Sequence, residues 1–254
     1  MRAIAILEHR WKLIRRLRSR DAFRSRAGDR ASKEFWISAV FSTGYLLAAA
    51  ASLWQWGQPR PWARFDLFVI GFFAVSVVTL LCTIRFARTV LRSREVMNEF
   101  AGITYDRYLV PTVTALALLE LGIYLDYAHW QLWPALAQPI LQTAGLVLYA
   151  GSAVLFRWTD RRLHRRFAGY PEQSALIIDG PFRFIRHPRH ASLIASRFAM
   201  ALLFASAVGW ALALAWLMLF VRRIRLEEQH LRKIFGGEYD SYARRTARLI
   251  PGIY

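Results

Sequence analysis

The sequence has few of the residues that build disulfides, metal clusters and nucleotide-binding loops. It contains one cysteine, Cys82, and six histidines. A single cysteine excludes both an intramolecular disulfide and a thiolate metal cluster. Six histidines are too few for a histidine-box di-iron enzyme, so we expect no metal site. The sequence also has no glycine-rich phosphate loop and no internal repeat. Without a soluble nucleotide-binding domain, any nucleotide-like cofactor would be held by the helices themselves.

Apolar residues, in contrast, are abundant. The chain is 56% hydrophobic and its mean hydropathy is +0.23, although it also carries 35 Lys and Arg residues. This composition is typical of a protein that crosses a membrane several times. A transmembrane helix needs roughly 17 to 25 residues. Four runs satisfy that length and predict four transmembrane helices, at residues 35–54, 67–84, 108–127 and 139–156.

A fifth apolar run, residues 191–221, holds one charge, Arg197. As a single helix it would be about 47 Å long, against a hydrocarbon core of about 30 Å. Of the 35 basic residues, 32 lie in residues 1–34, 85–107, 157–190 and 222–254. Because basic residues favour the cytoplasmic side, both ends of the fifth run should lie on that side. We therefore predict a C-terminal membrane helical hairpin that turns near Ser206 to Gly209.

These patterns together predict an all-α integral membrane protein with four transmembrane helices and the hairpin. Polar residues gathered at both mouths of the hairpin, at 180–188 and 227–239, indicate a catalytic region on the cytoplasmic side. We expect a bacterial inner membrane protein with both termini in the cytoplasm. The organisation we predict is a basic amphipathic segment at 1–34, membrane helices at 35–135 and a further membrane core at 136–254.

The net charge of +18 could indicate nucleic acid or a membrane surface as the partner. Since the basic residues flank the membrane runs, an anionic leaflet is the expected partner and nucleic acid is not. Two interpretations of the first 20 residues remain open. Apolar side chains at helical spacing fit an amphipathic helix lying in the interface, whereas the basic residues also fit a disordered tail that sets topology. The apolar side chains are Ile4, Leu7, Trp11, Ile14 and Leu17.

A polar connector precedes the hairpin. Pro181 and Pro188 cannot continue a helix and restrict the residues before them, which predicts an ordered connector that enters the membrane after His187. Arg186 offers a rigid fork of donors suited to a carboxylate, and His187 can donate or accept near neutral pH. Alternatively, both side chains bind lipid phosphates at the interface.

Two carboxylates, Glu227 and Glu228, follow the hairpin. Adjacent side chains on a helix point about 100° apart, so at most one of them can face a given pocket. The alternative is an exposed helix in which these carboxylates pair with Arg223 and Arg232.

Besides Asp126 at the end of its run, two charges lie deeper inside the apolar runs: Glu120 near the middle of 108–127 and Arg197 about two turns into the hairpin. Either charge alone would be costly in hydrocarbon, so we expect an ion pair or a water-filled cavity. We favour a structural clamp over a substrate site.

Residues 140–252 resemble the superfamily of integral membrane enzymes that contains the isoprenylcysteine carboxyl methyltransferases and the phospholipid methyltransferases. The matching elements are Gly180-Pro181-Phe182-Arg183, Arg186-His187-Pro188, Glu227-Glu228 with Leu231, Phe235-Gly236 with Tyr239 and Tyr242, then Arg245 and Ile250-Pro251-Gly252. The chain departs from the family pattern at two positions, since His190 stands for a tyrosine and Ser192 for a glycine.

The resemblance implies that residues 136–254 form a methyltransferase-like membrane core with a cytoplasmic cofactor pocket. It also implies that S-adenosylmethionine binds there and that its methyl group passes to a membrane lipid or a lipid-modified acceptor. Arg186 or His187 would meet the cofactor's carboxylate, and Glu227 or Glu228 its ammonium. Glu228 and Arg245 are the implied catalytic residues, with Arg245 orienting a carboxylate acceptor. The implied cofactor-binding residues are Gly180, Pro181, Phe182, Arg186, His187, Pro188, His190, Glu227 and Glu228.

His190 should stack on the cofactor when neutral. Its protonation near the ordinary imidazole pKa, about 6.5, should then repel the cofactor's sulfonium.

Two other functions fit parts of the sequence. A membrane reductase related to the sterol reductases has a similar C-terminal architecture, but its Asn-Tyr-x-Gly-Asp motif is absent after the Arg-His element. A lipid-binding or scaffold protein that lost its chemistry is the other alternative, and the changes at His190 and Ser192 support it.

Overall fold

A computed structural model describes residues 40–55, 58–59, 65–92, 109–167 and 176–252. The predicted amphipathic segment at 1–34 lies outside these residues. The described residues form helices that run in the order α1 Val40–Leu53, α2 Leu67–Arg92, α3 Leu109–Leu119, α4 Leu121–Leu125, α5 Pro139–Phe167, α6 Pro188–Leu203, α7 Ala207–Phe235 and α8 Gly237–Arg245. Within them the only β pairing is one isolated parallel bridge between Ile185 and Ala247. The prediction of an all-helical protein is therefore confirmed.

Three of these helices are long and apolar enough to cross a membrane, at Leu67–Arg85, Pro139–Leu163 and Ala207–Phe235. Helix α1 is apolar but shorter. The predicted run at 108–127 contains α3 and α4, which are separated by Glu120 alone. The backbone of Glu120 stays helical, and its N–H donates to the Leu116 carbonyl at 3.0 Å. The protein is thus an integral membrane protein, and the exact count of four spans plus a hairpin stays a prediction.

The fifth apolar run is divided between α6 and α7, which pack against each other. The chain turns at residues 204–206, where Ala205 has a φ of 47°. The Ser206 hydroxyl accepts a hydrogen bond from the Gly209 N–H at 3.0 Å and so caps α7. The turn therefore precedes Gly209, which already belongs to the helix.

A buried carboxylate fixes this turn to the rest of the molecule. Asp126 follows α4 in a π-helical turn, Asp126–Trp130. Its carboxylate accepts hydrogen bonds from the Ser206 hydroxyl at 2.7 Å and from the Leu132 N–H at 2.9 Å. Nearby, the ring of Phe204 lies 4.9 Å from that of Tyr124, which closes an aromatic core.

Helices α5 and α6 pack backbone to backbone. A Cβ atom on Gly145 would lie 2.5 Å from the Leu203 nitrogen and 2.9 Å from the Ala199 carbonyl oxygen, so only glycine fits there. The amide of Gln142 donates to the Leu203 carbonyl at 3.1 Å and satisfies the end of α6. This contact sets the position of α6, whose first turn carries His190.

Candidate active site

The connector before α6 is ordered by local turns and by the C-terminal segment. It begins with a 3₁₀ turn, Gly180–Arg183, that Gly180 enters with a φ of 60°, a conformation that favours glycine. The Phe182 carbonyl accepts a hydrogen bond from the Tyr242 hydroxyl at 2.7 Å. The proline-bounded connector thus lies against α8.

Past this turn, the connector runs beside residues 247–248. The Arg186 N–H donates to the Ala247 carbonyl at 2.8 Å, and the His187 N–H donates to the Arg248 carbonyl at 3.1 Å. This pairing brings the connector, the end of α7 and the C-terminal segment to one place.

Glu228 lies at the centre of the site where the connector, the end of α7 and the C-terminal segment meet. Its carboxylate is 1% exposed and lies 3.0 Å from Arg186 Nε and 3.0 Å from Arg248 Nη2. His187 Nε2 is 3.5 Å from the same carboxylate. Three groups that carry or can carry positive charge therefore surround one buried anion. Arg248 Nε donates to both carboxylate oxygens, at 3.2 and 3.1 Å, and such charge-assisted hydrogen bonds are stronger than neutral ones.

Arg186 is held on a second side as well. Its Nη1 donates to the carbonyls of Ala243 and Thr246, the latter at 2.8 Å. These carbonyls lie at the C-terminal end of α8, where a cation also meets the negative end of the helix dipole. Arg186 therefore joins α7, α8 and the connector.

Glu227 lies beside this cluster and is more accessible. Its side chain is 30% exposed and one oxygen lies 2.7 Å from Arg223 Nε. His187 Nδ1 is 3.7 Å from one carboxylate oxygen and His190 Nε2 is 3.6 Å from the other. Arg232 pairs elsewhere, with Asp240 at 3.1 Å. The two adjacent glutamates thus differ in exposure: Glu228 is buried, whereas Glu227 is partly accessible to solvent.

His187, His190 and Glu227 place three ligand atoms within 4.8 Å of one another. Two imidazoles and a carboxylate form a donor set that zinc accepts. The Arg223 guanidinium already neutralises the carboxylate, and the neighbouring arginines oppose a divalent cation. We assign no metal to this cluster, and the expectation of no metal site stays a prediction.

Burial changes the acid–base behaviour of this region. It lowers the pKa of His190 to about 3, and the nearby His187, Arg223 and Arg189 act in the same direction. The expectation that His190 titrates near pH 6.5 is wrong, because the imidazole is packed against the ring of Phe220 at 5.1 Å instead of facing water. His190 is neutral throughout the physiological range.

Two tyrosines of α8 are also perturbed. Burial raises the pKa of Tyr242 to about 12. Burial, followed by the negative charge of Glu228, raises the pKa of Tyr239 further above its ordinary value. Both phenols therefore stay protonated, and neither is a base at neutral pH.

Two residues differ from what the motifs alone indicate. Arg245 is exposed, and its Nε donates to the carbonyl of Ser241 at 3.2 Å, so the structure does not bring it to Glu228. Arg248, which the motifs did not single out, occupies that position instead. No local sequence signal distinguishes Arg248, because its placement depends on the pairing of 247–248 with the connector. The catalytic role of Arg245 stays a prediction.

Ser192, which stands where the family has glycine, is buried and uses its hydroxyl within its own helix. It donates to the Arg189 carbonyl at 2.7 Å. The hydroxyl is therefore satisfied without help from the site.

Comparison with known proteins places the connector, the hairpin and both glutamates in one family region. Residues 140–238 match the family model of phospholipid methyltransferase. The chain is also similar to two rice proteins described as probable protein-S-isoprenylcysteine O-methyltransferase, from Oryza sativa subsp. indica and subsp. japonica. Each is 33% identical over 87 residues, which cover 33% of this chain and 44% of the relative.

The chain thus matches a little less than half the length of these relatives. The matches confirm the resemblance to the membrane methyltransferases of the phospholipid and isoprenylcysteine type. Arg245 and Arg248 lie beyond the residues that the family model covers.

Proposed function

We propose that the protein is an S-adenosylmethionine-dependent methyltransferase that acts on a membrane lipid or a lipid-modified acceptor. The family match over residues 140–238 supports the reaction class. The observation that carries the proposal is the charge cluster around Glu228, which lies where α6 and α7 leave their apolar runs. Ionisable groups gathered at the end of a membrane segment are costly and mark functional sites.

The charges of this cluster fit the amino-acid part of the cofactor, which has a carboxylate and an ammonium. Glu228 and Arg186 are 1% and 11% exposed and are paired with each other. Glu227 and Arg248 are 30% and 31% exposed and remain accessible. Glu227 is therefore our candidate for the ammonium and Arg248 for the carboxylate. Glu228 then holds Arg248 and His187 in position.

The aromatic residues next to the cluster, on α6 and α7, are suited to excluding water. His190 packs on Phe220, and the Phe220 ring stacks on that of Trp216 at 5.3 Å. S-adenosylmethionine supplies an electrophilic methyl group on a sulfonium. Because transfer of that group neutralises charge, positioning and a dry surrounding supply much of the catalysis that this chain can offer.

The acceptor decides which further residue is needed. The rice relatives' names indicate O-methylation involving a protein isoprenylcysteine for those proteins. A carboxylate acceptor needs a cation to orient it, and Arg245 at the end of α8 is our candidate. An amine acceptor would need a base, and both α8 tyrosines stay protonated. We therefore favour a carboxylate on a lipid-modified molecule.

The reaction can be tested with full-length protein in lipid vesicles and cofactor labelled in its methyl group. We expect label to enter a prenylated cysteine with a free carboxylate, and the matched methyl ester to accept none. Transfer to phosphatidylethanolamine alone would contradict the carboxylate assignment. Absence of transfer to either, with intact protein, would contradict the proposed reaction.

The cytoplasmic position of the site rests on the charge distribution of the sequence. Single cysteines at Ser174 and Ser241, in a Cys82→Ala background, should be labelled from the same side of the membrane. Labelling from opposite sides would separate the connector from α8 and contradict the proposed site.

A further inference from the structure

A cavity of about 290 Å³, lined by both apolar and polar side chains, lies among the apolar parts of the helices. Residues of α1, α2, α3, α5 and α6 line it, together with Glu120, which lies between α3 and α4. Its polar lining includes Tyr45, Ser76, Glu120, Tyr149 and Arg197. Arg197 follows His190 by seven residues on α6, which is about 10 Å along the helix. The cavity is therefore deeper than the candidate active site, and most of its lining lies outside the family-matched region.

An ion pair forms one wall of the cavity. Arg197 Nε lies 2.5 Å from Glu120 Oε1, and the Glu120 side chain is 4% exposed. The Tyr45 hydroxyl donates to Glu120 Oε2 at 3.3 Å. A hydrophobic pair would hold these helices together at least as well as a buried ion pair does. Stability alone therefore does not explain the charges, and ionisable residues inside a membrane segment indicate a functional site.

The backbone around this pair stays helical. Glu120, between α3 and α4, has φ −61° and ψ −21°, its N–H donates to the Leu116 carbonyl at 3.0 Å, and its carbonyl accepts from the Ile123 N–H at 3.0 Å. The guanidinium of Arg197 lies 4.9 Å from the centre of the Trp216 ring, which holds it at the cavity edge. Its Nη1 donates to the Ser196 hydroxyl at 3.0 Å.

Hydroxyl groups also line the cavity. Tyr149 and Ser76 hydrogen-bond at 2.9 Å, and both line the cavity. The cavity lining as a whole thus offers a carboxylate, a guanidinium and phenol hydroxyls. The carboxylate and the guanidinium form an ion pair that has no net charge. A charged guest would be left uncompensated in this apolar surrounding. A hydroxyl can donate to the carboxylate or to a phenol oxygen and accept from the guanidinium.

We infer that this cavity binds the hydroxyl-bearing head group of a neutral membrane amphiphile, at a site separate from that of methyl transfer. Ligand cavities hold about 300 to 1,000 Å³, so this one suits a head group of glycerol size whose acyl chain stays in the bilayer. The inference does not depend on the proposed methyl transfer.

The test uses full-length protein in phosphatidylcholine vesicles and a monoacylglycerol that carries a diazirine near its head group and an alkyne at its chain end. We expect saturable cross-linking to the helices that line the cavity. Ala117→Phe should fill the cavity and keep the head group from making one or two of its hydrogen bonds. We therefore expect labelling to fall about tenfold. Val147→Phe is the matched control, because Val147 is 67% exposed on α5 and should leave labelling unchanged.

Ser42→Phe fills the same cavity from α1, so an unstable Ala117 variant does not remove the test. Wild-type protein provides the second arm, with probes of the same chain that end in a carboxylate or a quaternary ammonium. Both charged probes should label the cavity about tenfold less than the glycerol probe. Labelling that does not saturate, that survives both filling substitutions, or that is equal for the charged probes would overturn the inference.

Discussion

Replacing Glu228 by glutamine removes the one buried anion that Arg186 and Arg248 share. Glutamine keeps the size of the side chain but leaves two guanidinium groups facing a neutral amide. Removing one partner of a buried pair costs about 3 to 5 kcal/mol. Arg248 is 31% exposed and recovers part of its hydration, so we expect a loss of about 3 kcal/mol in the free energy of unfolding.

Arg232→Gln is the matched control for this substitution. Arg232 also pairs with a carboxylate, Asp240, but their side chains are 47% and 49% exposed. An exposed pair contributes about 0 to 1 kcal/mol. Detergent-solubilised protein can be unfolded with increasing denaturant and followed by tryptophan fluorescence.

A double-mutant cycle with Glu228→Gln and Arg248→Gln separates the pair from general damage. Residues in direct contact show coupling of about 0.5 to 3 kcal/mol. The same variants should bind S-adenosylmethionine less tightly if Glu228 positions Arg248. Equal, small effects of Glu228→Gln and Arg232→Gln, with no coupling to Arg248, would refute the buried cluster.

Three further substitutions test other parts of the structure. Gly145→Ala would place a Cβ 2.5 Å from the backbone of α6 and should destabilise the protein by about 1 to 3 kcal/mol. Gly151→Ala is the control in the same unfolding assay and should be tolerated, because a Cβ there has nothing within 4 Å. Equal stability of the two variants would contradict the helix contact. Glu227→Gln should weaken cofactor binding about tenfold in calorimetry. Glu238→Gln changes an exposed glutamate and should leave the affinity unchanged. Equal affinities of the two variants would exclude Glu227 from the pocket. The pKa of His190 is about 3 in the folded protein and about 6.5 when unfolded. The free energy of unfolding should therefore fall by about 1.4 kcal/mol as the pH is lowered from about 7.5 to 5.5. The same fall in a His190→Tyr variant would contradict the burial of His190.

The fold class follows from the sequence because hydropathy and charge act over whole segments. The basic residues on both sides of residues 191–221 predicted that this run turns back, and the structure turns at 204–206. The change of hydrogen-bond pattern at Glu120, whose carbonyl accepts from the Ile123 N–H, was not predicted, because hydropathy averages over a run and does not register single backbone contacts. The pairing of Glu120 with a partner was expected from the cost of an isolated charge, and the structure provides Arg197.

The candidate site was predictable only where it is local. The prolines around the connector, and the glutamates after the hairpin, lie in recognisable motifs. Arg248 could not be found in this way, since it meets Glu228 only after residues 247–248 pair with the connector some 60 positions earlier. The low pKa of His190 depends likewise on packing against Phe220, which its sequence neighbours do not reveal.

Calorimetric titration of the purified, full-length protein with S-adenosylmethionine and, separately, with NADPH tests the central claim most directly. We expect S-adenosylmethionine to bind one site, Glu227→Gln to weaken that binding about tenfold, and NADPH not to bind. Binding of NADPH alone would support a membrane reductase instead. Binding of neither by folded protein would contradict the proposed methyltransferase and favour a lipid-binding or scaffold protein.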